Sequence, residues 1–253
     1  MTARSAIEIA VQDADGVATA LSVGADRVEL CGALSAGGLT PSIGLIGGAV
    51  DAARAAGAPG FVHVLVRPRP GGFVYSPSEL ATTVRDIRAA RDAGADGVVI
   101  GALTRDGEVD IEATRELVAA ADGLNVTFHR AIDAGSYPLR AIDVLLELGL
   151  HRVLTSGGAV RSIDGVRTLA TMVERSVGRL QIMAGGGVRV EDIPTLLASG
   201  VDAVHLSARR VVDDVAPSGP GGGEASFDRT DEAIAAAAVS AVHGIGPTAS
   251  VKA

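Results

Sequence analysis

Lysine is nearly missing from this sequence. All 22 basic residues but one are arginine, and the single lysine, Lys252, lies one residue from the C-terminus. Schiff-base aldolase chemistry and pyridoxal phosphate both need a buried lysine amine, so both are excluded. Cysteine is as scarce: Cys31 stands alone, which rules out an intrachain disulfide and a multi-thiolate zinc or iron-sulfur site. Aromatic residues make up 2% of the chain and tryptophan is absent, so the core is built from Val, Ile, Leu and Ala, the composition of a parallel sheet. There is no basic surplus. A net charge of -8 argues against nucleic acid or an anionic membrane surface as partner and leaves small molecules. No apolar run approaches the roughly 20 residues of a bilayer span, and "MTARSAIEIAVQ" has neither a signal h-region nor a cleavage site, so a cytoplasmic location is expected.

What the sequence has in plenty is short β-branched runs. Eight occur: "IEIAVQ" from 7, "RVELCG" from 27, "VHVLVRPR" from 62, "GVVIGAL" from 97, "VTFHRAID" from 126, "RVLTSGG" from 152, "LQIMAGGGV" from 180 and "AVHLSARR" from 203. Helix-like stretches with apolar spacings of three and four separate them. Ser76, Pro77 and Glu79 have the pattern of an N-cap, a first-turn proline and a capping-box acid. "GAD" at 24 to 26 and at 94 to 96, and "GVD" at 200 to 202, put a C-cap glycine just before a strand. The repeat of about 30 residues is one βα unit. Eight such units with no break in composition predict a single-domain (β/α)8 TIM barrel over 1–244, with an open doubly wound sheet as the alternative. Residues 216–226 read as a flexible loop, "FDRTDEAIAAAAVSAVHG" as the closing helix, and 245–253 as a disordered tail.

Side chains two apart on a strand share a face, so Glu8, Glu29 with Cys31, His63 with Arg67 and Arg69, Thr127 with His129, and His205 with Ser207 are expected to point into the barrel. Barrel active sites lie at the C-terminal mouth, which weights Arg67, Arg69, His129, Arg130, Asp133, Ser156 and Ser207. A charge inside a sheet must be paired, hydrated or used. Catalytic roles are therefore expected for Glu8, Glu29, Arg67, His129 and Asp133. His129 with the two glutamates would form a general acid/base group, and Arg67 would hold an anionic substrate group. The alternative is a satisfied ion network filling the barrel. Gly185, Gly186 and Gly187, followed by Ser207, Arg209 and Arg210, offer a phosphate or anion cradle at the loops after the seventh and eighth strands, and Arg69 and Ser156 are further binding candidates. Cys31, near the mouth, is either a soft ligand for copper(I) or an ordinary buried thiol. His63 reads as core, His151 and His243 as surface.

Taken together, "GADRVELC", "GGLTPS", "RPR" followed by "GGFVYS", "VTFHRAID", "RVLTSGG" and "AGGGV", in order from 7 to about 210, resemble the CutC copper-homeostasis family. The resemblance implies a cytoplasmic (β/α)8 barrel, a homodimer or homotetramer, and copper binding through Cys31 with a histidine or methionine nearby. It carries over to Glu8, Glu29, Cys31, Arg67, Arg69, His129, Arg130, Asp133, Thr155, Ser156 and Ser207. Two departures stand out: Ala10 occupies the position of a family cysteine, and Pro70 and Gly72 replace a glycine and an aspartate of the arginine loop. The reading is a copper homeostasis protein of the CutC type that binds copper(I), and the alternative is a lysine-independent barrel enzyme moving protons on a small anionic or phosphorylated substrate.

Overall fold

All eight β-branched runs form strands. In the computed structural model, which describes residues 4–213 and 226–244, the chain runs β1 (Ala6–Val11), α1 (Ala14–Ser22), β2 (Arg27–Leu30), α2 (Ile43–Ala55), β3 (Val62–Leu65), α3 (Pro77–Asp92), β4 (Gly97–Ile100), α4 (Ile111–Ala121), β5 (Asn125–Phe128), α5 (Ala131–Ala134), α6 (Pro138–Glu147), β6 (Arg152–Thr155), α7 (Val166–Ser176), β7 (Gln181–Gly185), α8 (Ile193–Ala198), β8 (Ala203–Leu206), β9 (Arg209–Asp213), β10 (Ser226–Thr230) and α9 (Glu232–His243). Strands β1 to β8 are parallel and close into a barrel, with β8 returning to β1 in a register that pairs Glu8 with His205. This is the (β/α)8 barrel expected from the alternating pattern.

Local signals explain the joints. Ser76 and Glu79 form both halves of a capping box at the start of α3. Gly24, Gly94 and Gly200 all take positive φ (77°, 90° and 89°), where a side chain would be strained. The aspartate two residues after each of these glycines has its own task. Asp26 accepts the backbone N–H of Ile7 at 2.8 Å, Asp96 that of Val62 at 3.0 Å, and Asp202 that of Ile182 at 2.7 Å. Each repeat thus pins the start of one strand to the turn that begins its neighbour.

The outward strand side chains, among them Ile7, Ile9, Val28, Leu30, Val62 and Val64, pack with Ile46, Ile87, Leu117 and Leu145 of the helices in the main core. At about 1.5–3 kcal/mol per buried aliphatic side chain, this layer holds the barrel together. The inward layers are smaller: Cys31, Leu65 and Val99 in one, and Leu154, Met183 and Ala203 in another. No helix among the described residues is long and apolar enough to cross a membrane.

Three expectations change. The run from 126 does not continue as a strand: it ends at Phe128, and Arg130 precedes the one-turn helix α5, which contains Asp133. The closing helix begins at Glu232 rather than near 227, because Ser226–Thr230 pairs antiparallel with Arg209–Asp213 as a ribbon. His243 is not a surface side chain; it is 2% exposed and lies 3.0 Å from Asp26. The loop expected at 216–226, apart from Ser226, and the tail at 245–253 lie outside the described residues.

Candidate active site

The barrel lumen holds two polar clusters at different heights. The lower one is closed. Glu8, fully buried, accepts from Arg27 Nε at 2.6 Å, and Arg27 Nη2 reaches across the lumen to Met183 Sδ at 3.2 Å. Arg152 donates to Thr127 Oγ1 at 3.0 Å and to Gln181 Oε1 at 2.9 Å. Burial works against the Glu8 carboxylate, but Arg27 and His205 more than offset it, and its pKa falls well below the ordinary range.

The upper cluster borders a cavity of about 240 Å³ at the C-terminal mouth, lined by Ala10, Glu29, Arg67, Phe73, His129, Arg130, Gly186, Gly187, His205, Ser207 and Arg209 among others. That is below the roughly 300–1,000 Å³ of drug-sized ligand sites, so it suits a small metabolite. His205 links the two clusters: its Nδ1 lies 2.8 Å from Glu8 Oε1, and its Nε2 lies 3.8 Å from Glu29 Oε2. The second distance couples the charges yet is too long for a hydrogen bond, so both atoms stay available to a ligand. Burial raises the Glu29 carboxyl to about 7, only partly countered by His205. Burial opposes protonation of His205, but the carboxylates of Glu29 and Glu8 raise its pKa overall. A carboxyl and an imidazole facing one hollow, with a proton to exchange near neutral pH, are the parts of a general acid/base.

The acid/base partnership expected between His129 and the glutamates is not the one formed. Glu8 and Glu29 turn to His205, because closure of the barrel brings β8 against β1. His129 lies beyond the end of β5, beside Phe73 with ring centroids 4.9 Å apart. Its Nδ1 accepts the N–H of Ala131 at 3.1 Å, while its Nε2 is buried without a partner among the described residues. Burial, reinforced by Arg67, lowers its pKa to about 3. Room for the ring comes from Gly101, where a Cβ would stand 2.4 Å from His129 Cε1 and Nδ1.

Arg67 is held by carbonyls alone. Its Nη1 donates to Gly37 and Gly38 at 3.2 and 3.1 Å, its Nη2 to Gly71 at 2.7 Å, its guanidinium lies over Phe73, and its Nε has no partner among the described residues. A buried cation with no carboxylate among the described residues favours an anionic ligand. The other candidate arginines around the mouth are compensated: Arg130 pairs with Asp133, Arg209 with Asp228, Arg210 with Asp231, and Arg69 with Glu79.

Several candidates take other places. Asp133 faces away from the cavity; it accepts from Thr155 Oγ1 and from the amides of Ser156 and Gly158, and it orients Arg130. Ser156 donates to the Ala159 carbonyl and receives Arg130. Arg69 braces the loop before α3 through the carbonyls of Gly72 and Val74. Gly185 lies within β7. Gly186 and Gly187 line the cavity, and Gly186, at φ 119°, leaves room for the Arg130 guanidinium. Glu8 lies beneath the cavity and positions His205. The residue that the sequence reading left out of the acid/base group is His205.

The profile of the CutC family matches residues 5–210. The chain belongs to the CutC family. It is 42% identical over 204 residues to a CutC family protein of Histophilus somni, covering 80% of this chain and 82% of that one. It is 43% identical over 209 residues to one of Xanthomonas axonopodis pv. citri, covering 81% and 85%. A solved CutC structure from Streptococcus agalactiae, assigned there to copper homeostasis, superposes with a TM-score of 0.76 at 33% identity over 80% of this chain and 98% of that one. A thiamine phosphate pyrophosphorylase from Pyrococcus furiosus, at 16% identity and TM-score 0.59 over 94% and 96%, shares the fold alone.

Copper fits the residues of this CutC chain poorly. Cys31 is fully buried with Leu65, Val99 and Leu34 and donates to the Val11 carbonyl at 3.4 Å. Burial, with Glu29 adding to it, pushes its thiol well up from the ordinary range, away from the thiolate that copper(I) prefers. Ala10 lines the cavity where the family cysteine would stand, Met183 is engaged by Arg27, and among the described residues no three His, Cys, Asp or Glu side chains converge for a metal.

Proposed function

We propose that this chain is a barrel enzyme that moves a proton on a small anionic, carboxylated or phosphorylated, substrate. Glu29 and His205 exchange the proton, Glu8 fixes His205, and Arg67 draws the anion. The observation that carries the reading is the Glu29–His205 pair facing the same cavity as Arg67, which has no carboxylate partner among the described residues. Isomerase, epimerase and lyase chemistry all use such a pair, and none of them requires lysine. Copper(I) bound through Cys31 is the competing reading. Its support is the copper homeostasis assignment of the Streptococcus agalactiae relative and not the donor set here.

A thermal-shift screen with small carboxylates and sugar phosphates separates the two. The expected result is stabilisation by at least one anion, lost in Arg67→Met and kept in Cys31→Ala. Stoichiometric copper(I) binding that vanishes in Cys31→Ala, with no anion raising the melting temperature, would overturn the proposal.

A further inference from the structure

His129 lines the cavity as neither a ligand-free core histidine nor a base. Its Nδ1 lone pair is taken by the Ala131 N–H, and a neutral imidazole that accepts at Nδ1 carries its hydrogen on Nε2. That Nε2–H is a buried donor without an acceptor among the described residues, which a protein rarely leaves unmatched unless a ligand supplies the match. Burial and the neighbouring Arg67 keep the ring neutral at physiological pH, so it offers a hydrogen bond and no proton.

We infer that His129 is the electrophile of an enolising site: its Nε2–H holds the carbonyl oxygen of the substrate while Glu29 removes a proton from the adjacent carbon. This rests on the proton-transfer reading above and narrows it to substrates that carry an acidic C–H beside a carbonyl. In the step, the C–H bond breaks and its proton goes to the Glu29 carboxylate. The electron pair forms a C=C bond as the carbonyl π pair moves to oxygen, and His129 stabilises that developing oxyanion. Return of the proton to the other face of the same carbon completes an epimerisation; where that carbon carries a hydroxyl, return of the proton to the former carbonyl carbon, with the hydroxyl proton passing to the first oxygen, completes an isomerisation, and neither route needs an oxidant or reductant. A neutral imidazole suits this better than a cation, because its pKa lies nearer that of an enol and the hydrogen bond strengthens as charge builds.

The test uses the full chain with 15N-labelled histidine and, as probe, phosphoglycolohydroxamate, a mimic of an enediolate. His129 is expected to be neutral and Nε2-protonated from about pH 5 to 8, the range in which an ordinary imidazole titrates. The probe should move that proton downfield. Binding should weaken by about 10²-fold in His129→Leu, the scale of one lost oxyanion donor, and much less in His129→Gln, which keeps a donor. Gly101→Ala, which crowds the ring without touching the probe, should also weaken it. An Nδ1-protonated or cationic His129 at neutral pH, a probe that does not bind the native chain, or equal binding by His129→Leu would each overturn the inference. The His129 protonation state and the His129→Leu comparison do not bear on anion stabilisation through Arg67, which the thermal-shift screen with other carboxylates and sugar phosphates reads separately.

Discussion

The floor and the mouth of the barrel use the same kinds of residue and differ in whether their charged groups are matched and whether a cavity lies beside them. On the floor, Arg27 pairs with Glu8 at 2.6 Å and Arg152 with Gln181 and Thr127 at 2.9 and 3.0 Å, while the neighbouring His63 Nδ1 is buried without a partner among the described residues. At the mouth, Arg67 Nε and His129 Nε2 have no partner among the described residues, and Glu29 has its pKa raised toward neutrality. A matched buried cluster holds a fold together, whereas an unmatched one beside a cavity is waiting for a ligand. His205 belongs to both, one ring nitrogen on Glu8 and the other toward Glu29.

If the floor is structural, breaking it should damage stability most. Arg27→Met takes the guanidinium from a fully buried Glu8 and leaves it with His205, and should cost about 3–5 kcal/mol in denaturant unfolding, the scale of a broken buried ion pair. A loss under about 1 kcal/mol would erase the distinction between the clusters, since that is the size of an unremarkable substitution.

The mouth should respond in the opposite sense. Glu29→Gln should reduce turnover, once a substrate is in hand, by about 10²–10⁴-fold, the range of a lost general base, with little loss of stability. It should also change the pH dependence. The folded pKa of Glu29 lies above its unfolded value of 4.5, so its contribution is present below that value and is lost as pH rises through about 7. The native chain should therefore lose stability relative to Glu29→Gln as pH rises from about 4.5 to about 7, with the difference level above that. A flat difference would contradict the shift.

His63 probes the floor at low pH. Burial lowers it from 6.5 to about 4, so the folded chain resists a proton that the unfolded chain accepts. Stability attributable to it is present above 6.5 and is lost as pH falls toward 4. His63→Asn should flatten the acid side of the stability curve by one proton, read from chemical denaturation at several pH values. An unchanged slope would show that His63 protonates in place.

The smallest effect is expected at Cys31. Cys31→Ala should cost about 1 kcal/mol, as a small core truncation does, and should leave the anion response unaltered. Loss of ligand binding would move the functional centre from the mouth to the thiol.

Much of this contrast was written in the strands. Period-two alternation placed Glu8, Glu29, His63, Arg67, Thr127 and His205 inside the barrel, and the spacing of βα units gave its eight strands. What spacing along one strand does not encode is which inward side chains meet. Glu8 and His205 are 197 positions apart and become neighbours only when β8 pairs with β1. A barrel read as closed carries that signal, since its last strand must lie beside its first. "VTFHRAID" misleads for a local reason: its β-branched start gives way after Phe128 to Ala131 and Ile132, whose first turn puts Asp133 on the backbone amides of the next loop. The β9–β10 ribbon was hidden because its strands are polar, exposed and separated by a glycine-rich stretch that reads as loop.

Titration of the Glu29 carboxyl by 13C NMR tests the central claim most directly. The account predicts a carboxyl that titrates near pH 7 and shifts when a small anion enters the cavity. Titration at the ordinary glutamate value, with no response to any anion, would contradict it.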